Sequence, residues 1–388
     1  MGTKEPGPRG AAHPEPVWVG ELQRSRGTAM NNSSSLFSRQ LIDVCKQSVA
    51  KDGGMNALAK LAFQRRQVLR RQAAERRGET VPSVLIASIT RRCNLGCAGC
   101  YAKRIRPEDE NCAELSDDRF MELFEEASRL GVGAILVAGG EPLLRPSLLK
   151  RIAAMRGMVA PVFTNGTLLD DEAARLFRPE SSLVPVFSIE GDELFTSERR
   201  GSGVHEAVLA GMARVRDKGG LFGLSVTVTS RNVGLVLSPD FLHALAGLGA
   251  AAVFLVEYVP VAPGTEDLAL NAEQRGRLNV PDLGAELPYP IIRLPGDEEE
   301  YGGCLAAGRG FAHLSPEGAL EACPFAPFSD TNASRSGLKE ALASPLLASI
   351  RAHHGELVET KGGCALRDKG GWVASLASCS SRAVVGAA

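Results

Sequence analysis

Aromatic residues are scarce in this chain of 388 residues, at 5%, with two tryptophans and four tyrosines. A module that reads nucleic acid needs a basic face with interleaved aromatics. Charge supplies no such face overall, because 44 Lys+Arg against 45 Asp+Glu leave a net charge of -1. The same balance removes any global attraction to an anionic membrane. The longest uncharged membrane-like stretch, Ala244 to Val256, falls short of the roughly 20 apolar residues a spanning helix needs. The opening residues, Met1 to Gly20, mix proline, glycine and charge without the apolar centre of a secretory signal. Neither a nucleic-acid nor a membrane partner is expected, and the expected location is the cytoplasm. A chain of this length holds two to three domains at about 150 residues each.

Cysteine is present in a telling arrangement. Nine cysteines stand at positions 45, 93, 97, 100, 112, 304, 323, 364 and 379. In a reducing compartment such clustering indicates metal ligation or redox chemistry rather than a disulfide scaffold.

Residues 1–35 read as a flexible tail, with Met30 an alternative start, and residues 36–80 as a helical segment. The second half of that segment is basic, with Lys60, Arg65, Arg66, Arg70, Arg71, Arg76 and Arg77. It suits either a docking surface for an acidic peptide or cofactor, or the solvated face of a packing helix.

From Val84 onward, short apolar runs alternate with amphipathic stretches. Strands are predicted at Val84–Ile89, Ala134–Ala138, Ala160–Thr164, Leu183–Ile189, Phe222–Thr229 and Ala252–Tyr258, with helices between them such as Asp117–Leu130 behind the cap Ser116. Sixfold alternation argues for an α/β fold with a parallel sheet, doubly wound or curved toward a barrel. Ligands in such folds gather at the carboxyl ends of the strands.

The alternation stops after Gly264, and a boundary is expected near residue 295. It separates a core at 81–295 from a small α+β region at 296–388. There Phe311–Leu314, a Ser315-Pro316-Glu317-Gly318 turn and Ala319–Cys323 predict a β-hairpin, followed by a helix around Leu338–Ile350.

Directly after the first strand comes Cys93-Asn94-Leu95-Gly96-Cys97-Ala98-Gly99-Cys100-Tyr101. Three thiolates on one loop can hold three irons of an iron-sulfur cube and leave the fourth open for chemistry. A structural zinc site with a distant fourth ligand is the alternative, and it would make the chain a zinc-stabilised nucleic-acid or peptide-binding module. The second strand ends in Gly139-Gly140-Glu141-Pro142, where paired glycines admit a ligand close to the backbone and Glu141 offers an acceptor for an amine. The third strand ends in Thr164-Asn165-Gly166 and the fourth in Ser188-Ile189-Glu190-Gly191. Each alone is an ordinary turn; their register with successive strand ends is what matters. Glu257 and Tyr258, ending the last of the six strands, stand where a catalytic acid or base would act, although a strand-end carboxylate also serves in salt bridges.

From about Val84 to Pro260 these motifs, in this order, resemble the core of the radical S-adenosylmethionine (radical SAM) family. The resemblance implies a partial (β/α)6 TIM-like barrel in which Cys93, Cys97 and Cys100 hold a [4Fe-4S] cluster whose open iron binds SAM. Reductive cleavage would then give a 5'-deoxyadenosyl radical that abstracts hydrogen from substrate. It further implies that Gly139, Gly140 and Glu141 line the methionine amine, that Ser188 and Glu190 face the ribose or carboxylate, and that Thr164 and Asn165 lie close by. Arg200 is a candidate for the carboxylate of SAM, or a surface arginine.

One departure stands out. The residue before the third cysteine is often aromatic in that family and is Gly99 here, while Tyr101 follows the cysteine. The adenine contact is the part this puts in question. The stretch from Cys304 to Cys323 resembles the opening of the SPASM and twitch extensions that carry auxiliary clusters. It implies an auxiliary [4Fe-4S] cluster on Cys304, Cys323 and Cys364, with Cys379 either a fourth ligand or an ordinary thiol, and His353 and His354 as substitutes. The expected partners are a peptide or small-molecule substrate and an electron donor such as flavodoxin or ferredoxin. The expected reaction is oxidative tailoring of a peptide or biosynthetic intermediate.

Overall fold

The computed structural model describes residues 55–105, 112–280, 283–294, 302–358 and 364–379, without the side chains of 55–58 and 377–379. The expected tail at 1–35, the first part of the helical segment, Cys45 and the expected boundary near 295 lie outside the described residues.

Nine strands form one sheet. They are β1 (Val84–Ser88), β2 (Ala134–Ala138), β3 (Ala160–Thr164), β4 (Leu183–Ile189), β5 (Gly223–Val228), β6 (Val253–Glu257), β7 (Ile291–Leu294), β8 (Phe311–Leu314) and β9 (Leu320–Glu321). Their spatial order is β7-β6-β5-β4-β3-β2-β1-β8-β9. Pairs are parallel throughout except that β9 runs antiparallel to β8.

This order decides between the two expected architectures. A doubly wound sheet reverses its strand order at a switch point. Here β1 to β7 follow one another without reversal. Right-handed crossovers in an unreversed order put every helix on one face, and the sheet curls into a partial barrel to cover the other. Leu85, Ala87, Ile135, Val137, Phe187, Ile189, Leu224 and Val226 point outward into the main core with the helices. Val84, Leu136, Val186 and Phe254 point into the barrel, in two smaller clusters flanking Phe163.

Local signals explain the helices. Asp117–Leu130 begins at Ser116, whose side chain accepts from the Arg119 amide, and stops at Gly131 with φ +121°. Pro239–Leu248 begins on Ser238 with proline in its first turn and ends on left-handed Gly249. Both arrangements satisfy backbone groups that a helix leaves unpaired at its ends.

The structure departs from the expectations in three places. The polar stretch after Gly264 contains a helix, Ala272–Leu278, and a seventh parallel strand, β7, which at four residues is too short to stand out in the sequence. The helix expected around Leu338–Ile350 is two, Leu338–Leu342 and Pro345–Ala352, because Pro345 lacks the N–H to continue the first while Ser344 caps the second. The hairpin forms with His313 opposite Glu321, yet it extends the barrel sheet, because β8 pairs with β1 through Val84–Phe311 and Ile86–His313.

Several polar contacts lock this C-terminal part onto the barrel. Arg91 meets Glu317 at 2.6 Å. His313, fully buried, bridges Ser88 Oγ at 2.8 Å and Glu321 Oε2 at 2.7 Å. The Glu126 carboxylate accepts from the amides of Leu338 and Lys339, both at 2.9 Å. It acts as a cap supplied from a distant helix. Glu126→Ala is expected to cost about 1 kcal/mol, in line with lost N-caps. Amide exchange over residues 338–342 checks it, with faster exchange there and little change in β2 to β5.

Candidate functional site

The barrel mouth opens into a cavity of about 300 Å³. Cys93, Cys97 and Cys100 line it, and so do Cys304, Cys323 and Cys364, which are separated from the first trio by more than half the chain. None of the six is in a disulfide. Burial pushes the thiols of Cys93 and Cys97 up, the latter opposed by the Arg200 guanidinium. Cys323 is held well above the usual thiol range by its hydrogen bond to Cys364 and by burial, with Cys304 adding to it. Among the described residues no three His, Cys, Asp or Glu side chains converge tightly enough to share one metal ion. A cube, whose cysteines each bind a different iron, asks for wider spacing than ligands on a single zinc.

The cysteine loop is anchored from below by β2. Gly140 donates its amide to the Thr90 carbonyl at 2.7 Å, and Glu141 donates its own to Arg92 at 2.8 Å. A β-carbon on Gly140 would overlap the carbonyl oxygens of Arg91 and Arg92, and one on Gly139 that of Thr90. The paired glycines line the cavity. Their side-chain absence, however, serves the crossing of two backbones, and the Gly140 amide is spent there.

Glu141 is buried behind the wall at 1% exposure. Its Oε1 accepts from Thr164 Oγ1 at 2.7 Å and the Leu143 amide at 3.0 Å, and its Oε2 from the Asn165 amide at 2.8 Å. Burial raises its carboxyl pKa against these bonds. Glu141 therefore clamps β2 to β3 with both carboxylate oxygens. Thr164 and Asn165 do reach the cavity. The Asn165 amide bonds Asn94 Oδ1 at 2.9 Å and lies 4.0 Å from Cys93 Sγ, steadying the loop's first cysteine.

On the far wall, Ser188 and Ser225 stand side by side in register on β4 and β5, both lining the cavity. Glu190 turns into a buried knot. Its Oε1 meets Arg199 at 2.5 Å and Arg200 at 2.6 Å, while Oε2 is buried without a partner. Arg199 also donates to Thr227 Oγ1 and the Ala98 carbonyl, and its own carbonyl accepts from the Ala98 amide. Burial lowers the Arg199 pKa, but Glu190 outweighs this and the group ends higher than usual. Arg200 is thus a part of the site and no surface residue, at 11% side-chain exposure. Sequence reasoning missed Arg199; the Glu198-Arg199-Arg200 run gave no sign of which residues faced inward.

Strand alternation separates the two residues proposed at the end of β6. Phe254 and Val256 face the barrel interior, so Tyr258 does as well and Glu257 faces the helix outside. Glu257 is fully buried and forms an ion pair with Arg275 at 2.8 Å. Burial raises its pKa and Arg275 opposes the rise. Tyr258 lies over Gly99, which has φ +64°, and a β-carbon there would collide with the phenol oxygen. The volume left by the missing side chain at position 99 is filled from β6. The Tyr258 hydroxyl is buried with no hydrogen-bond partner. Tyr101 instead packs edge-on against Phe325, ring centres 4.9 Å apart, joining the cysteine loop to the segment after Cys323.

The remaining candidates fall outside. Cys112 is exposed, and the side chain of Cys379 lies outside the described residues. His353 and His354 direct Nδ1 to the carbonyls of Ser349 and Arg351 and do not line the cavity.

The comparisons agree with this geometry. Residues 87–235 match the family model described as Radical SAM superfamily. It is 35% identical over 153 residues to Fe-coproporphyrin III synthase of Methanosarcina barkeri, covering 39% of this chain and 38% of that one. It is 30% identical over 203 residues to the probable GTP 3',8-cyclase of Halobacterium salinarum, covering 51% and 56%. The serine-type anaerobic sulfatase-maturating enzyme of Klebsiella aerogenes is 29% identical over 231 residues, covering 54% and 55%. The chain thus spans about half, or less, of the length of these relatives. Among solved structures, Streptococcus suis SuiB bound to precursor peptide SuiA superposes with TM-score 0.59 at 16% identity, over 80% of this chain and 75% of that one. The anSMEcpe structure with bound AdoMet and Cp18Cys peptide gives 0.55 at 13%, over 77% and 99%. These two likenesses concern the fold. No helix among the described residues is long and apolar enough to cross a membrane.

Two substitutions check the site. Gly140→Ala forces the Arg92 carbonyl aside and is expected to cost about 1–3 kcal/mol, as overpacking does, measurable by urea unfolding. Tyr258→Phe removes a buried, unbonded hydroxyl and is expected to leave the apoprotein as stable or up to about 1 kcal/mol more so. The same change should weaken SAM binding several-fold if the hydroxyl serves that ligand, as calorimetry would read.

Proposed function

We propose that this chain is a radical SAM enzyme with two [4Fe-4S] clusters facing one chamber, acting on a peptide or biosynthetic intermediate. The observation that carries the proposal is the convergence of two cysteine trios, distant in sequence, on a single cavity at the strand carboxyl ends. A zinc-stabilised binding module gives no reason for both trios to face an enclosed space at the mouth of a barrel.

The residues present fit the cofactors. Thiolates suit iron-sulfur clusters, and two arginines beside Cys97 offset thiolate charge. The buried knot of Arg199 and Arg200 around Glu190 carries two positive charges against one negative, leaving one for a carboxylate such as that of SAM. Two buried polar atoms, Glu190 Oε2 and the Tyr258 hydroxyl, want partners that a bound ligand would provide. Cys93, Cys97 and Cys100 would hold the SAM-binding cluster, and Cys304, Cys323 and Cys364 the auxiliary one. When bound, cluster and SAM supply reductive cleavage of the sulfonium to a 5'-deoxyadenosyl radical, which takes a hydrogen atom from the substrate.

The chain's own contribution is placement and exclusion of water. Asn165 orients the loop at Cys93. Ser188 and Ser225 line the cavity and would meet the ribose of SAM. Tyr258 closes the space above Gly99 and sets an aromatic face beside the third cysteine, where purine could pack. A one-electron donor such as flavodoxin or ferredoxin would feed the site in the cytoplasm. The names of the relatives span a tetrapyrrole synthase, a GTP cyclase and a protein-maturating enzyme, and oxidative tailoring, with the auxiliary cluster accepting the substrate electron, is the reaction proposed here.

Anaerobic reconstitution is expected to yield about eight irons per chain, four for each cube. Cys97→Ala should retain about four and form no deoxyadenosine from SAM under dithionite. Cys323→Ala should also retain about four while still cleaving SAM. Zinc without iron in the purified protein, or deoxyadenosine formed by Cys97→Ala at the parental rate, would overturn the proposal.

A further inference from the structure

The cavity wall carries more chemical information than its cysteines. Among the described residues, the charged residues that line it are Arg199, Arg200 and Glu257, the last with its carboxylate turned away to Arg275. Each is already engaged, the arginines by Glu190 and the glutamate by Arg275. The single positive charge left over by the arginine knot is the one a SAM carboxylate would take.

Six cysteines share the wall and would be deprotonated as ligands, so they add negative charge to it. Apart from uncharged polar residues at the strand ends, such as Asn165, Ser188 and Ser225, the rest of the lining is mainly apolar, with Ile86, Leu136, Phe163, Val256, Leu294 and Phe311. These come from both sides of the barrel and from β8, so the apolar surface surrounds the chamber rather than forming a patch. A second anion placed there would find no unengaged cation among the described residues, and burying an unpaired charge is strongly unfavourable. A hydrocarbon group loses nothing by entering and gains by leaving water.

We infer that the part of the substrate entering this chamber is uncharged and mainly hydrocarbon, as in an aliphatic or aromatic side chain, and not a polyanion such as a triphosphate or a tetrapyrrole carboxylate. The inference rests on the proposed radical SAM reading for the place of SAM in the cavity. It narrows the substrate among chemistries as different as those named for the relatives.

The test uses the reconstituted holoenzyme with SAM and reads binding calorimetrically, without turnover. The probes are N-acetyl amides of Leu, Phe, Asp and Lys, the same residues centred in Gly-Gly-X-Gly-Gly amides, GTP, and coproporphyrin III. Leu and Phe probes are expected to bind at least about tenfold more tightly than Asp and Lys probes, the factor that 1.4 kcal/mol of charge burial would produce. Tighter binding of the pentapeptides than of the single amides would identify a peptide source, and equal binding a small metabolite.

Val256→Trp fills the chamber from β6 and should abolish the preference for Leu and Phe, with iron content reporting whether the variant has folded. Equal or tighter binding of the charged probes, or tighter binding of GTP or coproporphyrin III than of the Leu pentapeptide, overturns the inference. Failure to form deoxyadenosine in the same preparation would overturn the radical reading separately, because probe binding is measured without cleavage.

Discussion

Where the loop after β2 crosses the root of the cysteine loop, two backbones touch. Gly140 and Glu141 donate their amides to Thr90 and Arg92, and the crossing leaves no room for a β-carbon at position 139 or 140. The carboxylate of Glu141 then carries the contact on to β3 by bonding Thr164 and the Asn165 amide. Asn165 closes the circuit by reaching Asn94 and the vicinity of Cys93. A loop holding three thiols would otherwise be free to fold over them. Tied at its base, its neck and its first cysteine, it presents them to one space, which is what a site built on rigid strand ends achieves.

The second trio arrives by a different route. β8 adds to the edge of β1, so the hairpin that ends at Cys323 grows from the barrel sheet itself. The buried series Ser88, His313 and Glu321 runs across the three strands involved, and Arg91 meets Glu317 at the hairpin turn. Both contacts start within a few residues of Cys93 and end within a few of Cys323. The distance between the two sets of sulfurs is thereby governed by sheet hydrogen bonds and buried polar pairs. Exposed ion pairs would hold it far less well. The edge contact of Tyr101 with Phe325 works in the same direction.

Alternation along β6 shows how a one-residue shift changes a role. Tyr258 faces the chamber and fills the volume over Gly99, while Glu257 is turned out to Arg275. Glycine at 99 and tyrosine at 258 are one arrangement, since a larger residue at the first would exclude the second. The departure at position 99 therefore leaves no gap in the wall. A comparable exchange occurs around Glu190, whose carboxylate organises two arginines that the chain places next to each other on the last turn of Glu193–Arg200.

Much was legible in the residues alone. Six strands of the barrel, their connecting helices and the first cysteine trio follow from short-range patterns, because period-2 and period-3.6 repeats, caps and tight Cys spacing are written within a dozen residues. β7 escaped, being four residues long in a polar stretch, as did the break at Pro345 in a run that reads as helical. What the chain order could not decide was which groups meet across the sheet. The pairing of β8 with β1, the inward turn of Arg199 and Arg200, the outward turn of Glu257 and the burial of Glu141 each depend on contacts between residues tens to hundreds of positions apart. Sequence determined the alternating α/β fold and the presence of two cysteine sets, since both are local. Only the closed packing of strand ends determined that the two sets share one chamber and that Arg199 and Arg200 gather around Glu190 beside it.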